Sequence, residues 1–266
     1  MKIKIPSNKN QTEIENFFIK KNLSTLVSLS KKKKKLVNQM ILKEPYIPDL
    51  NDLYFLYQFV IMNKRITILE FGSGWSTLIF NLALKELKDK YLMDVKLLRR
   101  NNPFELFVIE NEKKYLNITK QRVKKLNRNN NIIDQIKTNY HFSDVEMTLF
   151  KDKICHQYKK LPTCSPDFIY LDGPDQFKVK KDINGISTRH KDMLPMACDI
   201  LKLEYFYTPG TIIVSDGRSA NISLLRNNFQ RKWNYLKNKS NDQHILWLDD
   251  APLGKFNKMQ LEFYRK

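Results

Sequence analysis

One stretch limits this chain more than any other: residues 65–84, RITILEFGSGWSTLIFNLAL. Residues 66–71 form a short apolar run, the mark of a strand buried on both faces. Gly72, Ser73 and Gly74 follow directly, and residues 75–84 then predict a helix with Leu78 and Leu82 on its inner side. Strand, glycine turn and helix together make the nucleotide-binding unit of doubly wound α/β folds. Glycine lets the backbone approach a ligand because no Cβ intervenes. The N–H groups that open the helix have no partner inside it and face the same spot.

The details around the turn sharpen the reading. A dinucleotide fingerprint, G-x-G-x-x-G, needs a third glycine where this chain has Thr77. Glu70 stands two residues before Gly72, which gives E-x-G-x-G. This resembles motif I of the class I S-adenosylmethionine (SAM)-dependent methyltransferases. The resemblance implies that Glu70 helps hold the amino-acid end of SAM, with Gly72, Ser73, Gly74 and Ser76 lying beneath the cofactor. The alternative is a plain tight turn that binds nothing.

The chain has 266 residues, 42% of them hydrophobic, enough for one α/β domain with an added segment or for two small domains. No apolar stretch reaches the roughly 18 residues of a transmembrane helix, and the polar N-terminus has no signal-peptide core. Cys155, Cys164 and Cys198 show no C-x-x-C spacing, so neither a zinc site nor a disulfide framework is expected. A cytoplasmic location with reduced thiols is the expectation. The formal charge of +19 invites a nucleic-acid partner. However, the bias to lysine over arginine, with abundant Asn and Ile, is also what an A/T-rich coding sequence produces. A nucleic-acid partner is therefore not the expectation, and the charge is read instead as raising affinity for an anionic small-molecule acceptor such as a nucleotide sugar or a phosphorylated metabolite.

Residues 1–48 read as a basic helical extension, with a helix over 12–20 and five consecutive lysines at 31–35, and residues 49–266 as the SAM-binding methyltransferase domain. Pro45 and Pro48 mark the junction, and Asp49 or Asn51 caps a helix over 52–63. A second strand over 105–109 ends in Glu110, placed to accept hydrogen bonds from both ribose hydroxyls, as motif II of the family implies. A helix follows over 111–126, then a third strand near 132–137. In the family the loop after that strand meets the adenine, and Ser143 and Asp144 are its nearest candidates here. Residues 145–150 and 153–158 predict a hairpin.

Residues 166–174, PDFIYLDGP, give a second marker: a buried strand over 168–171 that turns sharply at Asp172-Gly173-Pro174. Ligands bind outside the carboxyl ends of such strands, so Asp172 belongs near the transferred methyl and the cofactor. Residues 176–189 suggest a lid and residues 190–205 a helix. A fifth strand over 211–215 ends in Asp216-Gly217-Arg218, a helix covers 219–231, and two strands, 244–248 and 259–264, close the chain. The expected fold is α/β, a doubly wound, seven-stranded, mostly parallel sheet with its last strand antiparallel.

Methyl transfer to oxygen needs an aimed nucleophile and a place for its proton. Magnesium-dependent small-molecule O-methyltransferases carry aspartates at the ends of the fourth and fifth strands, the second usually followed by Asn. Asp172 and Asp216 match those places, while Gly217 stands at the Asn position. Three readings stay open for the pair: Mg²⁺ ligands, metal-free base or acceptor, and turn caps. His190 is a further candidate base. The leading expectation is transfer of a methyl group from SAM to an oxygen of a sugar or similar metabolite. The alternatives are an aminopropyltransferase-like enzyme on the same fold and an inactive SAM-fold subunit bound to RNA through the basic N-terminus.

Overall fold

The computed structural model describes residues 2–32, 46–129, 136–190 and 194–266. The lysine run is therefore described at Lys31 and Lys32 only, and residues 33–35 lie outside the described residues.

Two short helices come first, α1 (Gln11–Lys20) and α2 (Ser24–Ser30). Asn10 and Glu13 form a capping box that starts α1. Helix α3 (Leu50–Met62) is capped by Asp49, whose Oδ1 accepts from the N–H of Asn51 at 3.0 Å. Strand β1 (Thr67–Phe71), helix α4 (Trp75–Lys96), strand β2 (Glu105–Glu110), helix α5 (Lys113–Asn129) and strand β3 (Lys137–Phe142) follow. The predicted hairpin is present as β4 (Val145–Phe150) and β5 (Lys153–Tyr158), paired antiparallel. Then come β6 (Phe168–Leu171), α6 (Asp199–Lys202), β7 (Ile212–Asp216), α7 (Ser219–Asn228), β8 (Trp233–Asn238), β9 (Gln243–Leu248) and α8 (Gly254–Arg265).

Seven strands make one sheet in the order β3-β2-β1-β6-β7-β9-β8. β3, β2, β1, β6 and β7 run parallel, and β9 inserts antiparallel between β7 and β8. Every β1 side chain is buried because helices or the hairpin cover both faces of the central strands. Ile66, Ile68 and Val108 pack on one face with α3, α4, α5 and α8, while Leu69, Phe71 and Ile109 pack on the other with α6, α7 and the hairpin. Ile14, Phe18 and Leu26 of the N-terminal helices join the first of these cores. Phe17 sits edge-on to Tyr54 and Tyr57 of α3, with ring centroids 5.1 and 5.0 Å away.

Three expected elements differ. The helix expected over 190–205 shrinks to α6 and a single 3-10 turn, Glu204–Phe206, with residues 191–193 outside the described set. Pro195 cannot continue a helix, and the chain instead runs strand-like beside β5: His156 N–H donates to Met196 O and Cys198 N–H to His156 O, both at 3.0 Å. The closing strand expected at 259–264 is helix α8. Its buried positions Asn257, Gln260, Leu261 and Tyr264 keep helical spacing, but two of them are amides and hide the apolar period. The outer strand is β8, half-exposed and without an apolar run. The third strand lies at 137–142 rather than near 132–137, and residues 130–135 fall outside the described set.

Candidate cofactor and acceptor site

The parallel strands β1, β2, β6 and β7 all point their carboxyl ends at one rim. At its centre Gly72 has φ +97°, in the left-handed region, and donates its N–H to Ile109 O at 2.8 Å. Gly173, at the tip of the neighbouring β6, presses against it. A Cβ on Gly173 would lie 2.5 Å from the Gly72 nitrogen. Gly74 differs from both: a Cβ there would meet only Ser76 Oγ, at 3.9 Å. The protein does not fill the space above Gly74, which makes the turn a cradle open to a ligand.

Glu70 lies beneath this turn, fully buried. Its Oε1 accepts from Ser76 Oγ at 2.5 Å and its Oε2 from Thr77 Oγ1 at 2.7 Å, while Thr77 Oγ1 accepts the Gly74 N–H at 3.2 Å. Glu70 and Ser76 therefore bind each other and fix how α4 leaves the turn. Burial pushes the Glu70 carboxyl up to about 8, against the pull of the two hydroxyls.

Glu110, at the tip of β2, is held on three sides. Ser73 Oγ donates to its Oε2 at 2.8 Å, and the N–H groups of Asn111 and Glu112 donate to its Oε1 at 2.8 and 2.9 Å. Burial raises its pKa and these bonds oppose the rise. Ser143 follows β3, with its N–H on Glu110 O at 3.1 Å and its Oγ accepting from Lys160 N at 2.9 Å. Asp144 is ion-paired with Lys180 at 2.7 Å, which lowers its pKa. Asn111 and Asp175 exchange two hydrogen bonds at 3.1 Å, tying the end of β2 to the chain beyond Pro174.

Asp172 and Asp216 stand at the tips of the paired strands β6 and β7. Asp172 is exposed at the tip of β6, and desolvation by the protein on its other side raises it to about 6, opposed by the charge of Arg218. Its side chain is open to water on the crevice side, so hydration limits that rise. Desolvation takes Asp216 to about 7, and the charge of Asp172 adds to that rise. Asp49 and Asp242 also raise Asp216, and Asp52 raises Asp172. Arg218 spans the turn below: its Nη2 donates to the carbonyls of Asp172 at 2.6 Å and Pro174 at 3.1 Å.

The structure thus brings Gly72, Ser73, Gly74, Glu110, Ser143, Asp144, Asp172 and Asp216 to one rim, with Glu70 and Ser76 underneath. His190 stands apart, exposed, with Nε2 3.2 Å from Gly185 O in the 176–189 segment. That segment is anchored, since Lys180 exchanges backbone hydrogen bonds with β4 through Val145 and Met147 at 2.9 Å. Among the described residues no group of three or more His, Cys, Asp or Glu side chains is placed to hold a metal ion. Asp49, Asp52 and Asp242 carry no sequence motif that marks them as site residues. Asp49 shows in sequence as a helix cap, and nothing local tells that α3 and the β8–β9 turn lean over β6 and β7.

The strand order, the antiparallel β9 and the glycine turn at β1 define the class I SAM-dependent methyltransferase fold, with two added N-terminal helices. Three solved structures illustrate the likeness. An O-methyltransferase from Bacillus cereus, in complex with SAH, is 12% identical, covers 91% of this chain and 92% of its own, and has a TM-score of 0.39. A putative caffeoyl-CoA O-methyltransferase from Staphylococcus aureus is 11% identical over 91% of this chain and 93% of its own, at a TM-score of 0.40. The O-methyltransferase TomG from Streptomyces achromogenes, involved in tomaymycin synthesis and in complex with SAM, is 10% identical over 93% and 92%, at 0.37. No protein-family model matches the chain, and no curated protein matches it. Among the described residues no helix is long and apolar enough to cross a membrane.

Proposed function

We propose that this chain is a SAM-dependent methyltransferase acting on an oxygen of a small, sugar-like acceptor. The observation that carries the reading is the open cradle at Gly74, bordered by the fixed Glu110 carboxylate one strand away. When bound, SAM supplies a methyl group made electrophilic by its sulfonium charge. Gly72, Ser73, Gly74 and the first turn of α4 hold the amino-acid end, and Glu70 and Ser76 keep that turn in shape. Glu110 accepts from the ribose hydroxyls, and Ser143 and Asp144 border the adenine.

Asp172 and Asp216 receive the acceptor. A carboxylate raised to about 7 ionises where a hydroxyl nucleophile needs a proton acceptor. Asp216 takes that proton at a carboxylate oxygen, and Asp172 orients the hydroxyl. The same pair would supply two oxygens to a Mg²⁺ ion, with waters completing its shell, but Gly217 adds no third side-chain oxygen. The base role needs Asp216 alone. His190, exposed and apart from that rim, is the second candidate for the proton.

Calorimetric titration with SAM and with its demethylated product tests the reading. Micromolar binding of both is expected. Absence of heat for either in the folded protein refutes it.

A further inference from the structure

The N-terminal segment meets the acceptor end of the fold. Asn63, at the end of α3, exchanges two hydrogen bonds with the backbone of Lys4, at 2.9 and 2.8 Å. From there the chain continues to α1 and, with the start of α3 and the β8–β9 turn, lines a half-open cavity of about 230 Å³. Its polar lining is Ser7, Asn8, Asn51, Tyr54, Ser240 and Asn241. Asn51 lies in the first turn of α3 beside Asp49 and Asp52, and Asn241 donates to Asp52 Oδ1 at 3.2 Å. The cavity therefore borders the carboxylates that raise Asp172 and Asp216.

We infer that this cavity is an acceptor subsite for one neutral sugar ring, built jointly by the N-terminal segment and the β8–β9 turn. The inference rests on the methyltransferase reading and names the chemistry of its acceptor. Side-chain amides and hydroxyls both donate and accept, as vicinal sugar hydroxyls do. Tyr54 adds an aromatic body for the apolar face of a ring. The volume is below the roughly 300–1,000 Å³ of a whole ligand pocket, which suits one ring and leaves the reacting hydroxyl to the aspartates. Charge favours a neutral group. The lining's ammonium, that of Lys9, is already paired with Glu13 at 2.8 Å, and the neighbouring carboxylates repel a phosphate.

Saturation-transfer NMR on the full chain tests this, with methyl glucoside, methyl galactoside, glucose 6-phosphate and spermidine as probes. Two variants accompany the wild type: Ser7→Trp, which fills the cavity, and Asn51→Ala, which removes an exposed amide. The expected result is saturation of a methyl glycoside at millimolar concentration, at least tenfold weaker in Ser7→Trp and about threefold weaker in Asn51→Ala. SAM affinity stays within twofold in both. The inference is overturned if neither glycoside saturates, if only the phosphate or the amine does, or if Ser7→Trp binds the glycoside as the wild type does. SAM titration of the same samples separates the two failures, because loss of SAM binding in the wild type refutes the enzyme reading and leaves the glycoside result to be judged directly.

Discussion

Gly72 and Gly173 close the rim of the sheet backbone against backbone: a Cβ on Gly72 would stand 3.0 Å from Gly173 N, and one on Gly173 2.6 Å from Gly72 Cα. Neither obstacle is a flexible side chain. Gly72 also carries φ +97°, which an L side chain rarely adopts. Gly173→Ala is therefore expected to cost about 2–4 kcal/mol, within the tail reserved for overpacking and backbone strain. Gly74→Ala meets no such wall and should unfold within about 0.5 kcal/mol of the wild type, yet weaken SAM binding tenfold or more. Denaturant melts and calorimetry on the two variants read both numbers. If both lose stability alike, Gly74 serves packing rather than a ligand.

Glu110 offers a sharper probe of the nucleoside end. Its three donors hold the carboxylate at the tip of β2. Glu110→Ala removes charge-assisted hydrogen bonds of about 1.5–3 kcal/mol, so SAM affinity should fall roughly 10- to 100-fold. Ser73→Ala loses one anchor of that carboxylate and should cost less, about threefold. Equal affinity in all three proteins would detach Glu110 from the cofactor.

Much of this site was legible in sequence because its parts are local. A buried strand, a glycine turn and a helix are consecutive, so their periods show without tertiary knowledge, and the hairpin at β4 and β5 has plain strand alternation. What escaped depends on distant segments. Asp52 bears on Asp172 through its charge only because α3 lies over the sheet, and Asn241 meets Asp52 across 189 positions of sequence. Residues 190–205 carry helical apolar spacing, but Pro195 and the edge of β5 override it. Helix α8 hides its period because Asn257 and Gln260 spend their amides on Pro209 O and Arg99 O at 3.1 and 3.0 Å.

The role proposed for the paired aspartates predicts a pH dependence for turnover. The acid form of Asp216 can neither accept a proton nor hold a cation, so kcat should rise with pH through a midpoint near 7. Asp216→Asn should lower kcat at least 100-fold and abolish this limb while leaving SAM affinity nearly intact. Exhaustive chelation separates the two roles of the pair. Unchanged activity leaves Asp216 as the base, whereas loss restored by Mg²⁺ makes the pair a metal site.

At the amino ends of β1, β6 and β7, opposite the rim, Asp167 is a structural anchor. Its carboxylate accepts from the N–H groups of Ile66 and Thr67 at 3.0 Å and from Tyr264 Oη at 2.9 Å, with Arg100 at 3.6 Å. All of this is buried, so Asp167→Ala leaves two strand donors without a partner and takes the carboxylate from Arg100, which keeps its bond to Ser165 O at 2.7 Å. The expected loss is about 3–5 kcal/mol. Tyr264→Phe should cost only about 1 kcal/mol. Urea denaturation checks both, and a cost for Asp167→Ala below 1 kcal/mol would refute the anchor.

Glu70 ties stability to pH in the direction opposite to a surface carboxylate. Its carboxyl has an ordinary value of 4.5 and is raised to about 8 in the folded chain. The folded state thus binds the proton more tightly than the unfolded state. Glu70 favours folding fully below pH 4.5, loses that advantage as pH climbs from 4.5 to 8, and stays unfavourable above. Glu70→Gln removes the ionisation and keeps a carbonyl for Ser76 or Thr77. The variant should lie within about 1 kcal/mol of the wild type near pH 5 and exceed it at pH 8.5 by on the order of 4 kcal/mol, since the rise spans more than three tenfold steps in proton affinity, each worth about 1.4 kcal/mol. Thermal melts at the two pH values measure the difference. A gain of the same size at both would mean that the substitution relieves packing at Glu70 and not a buried charge.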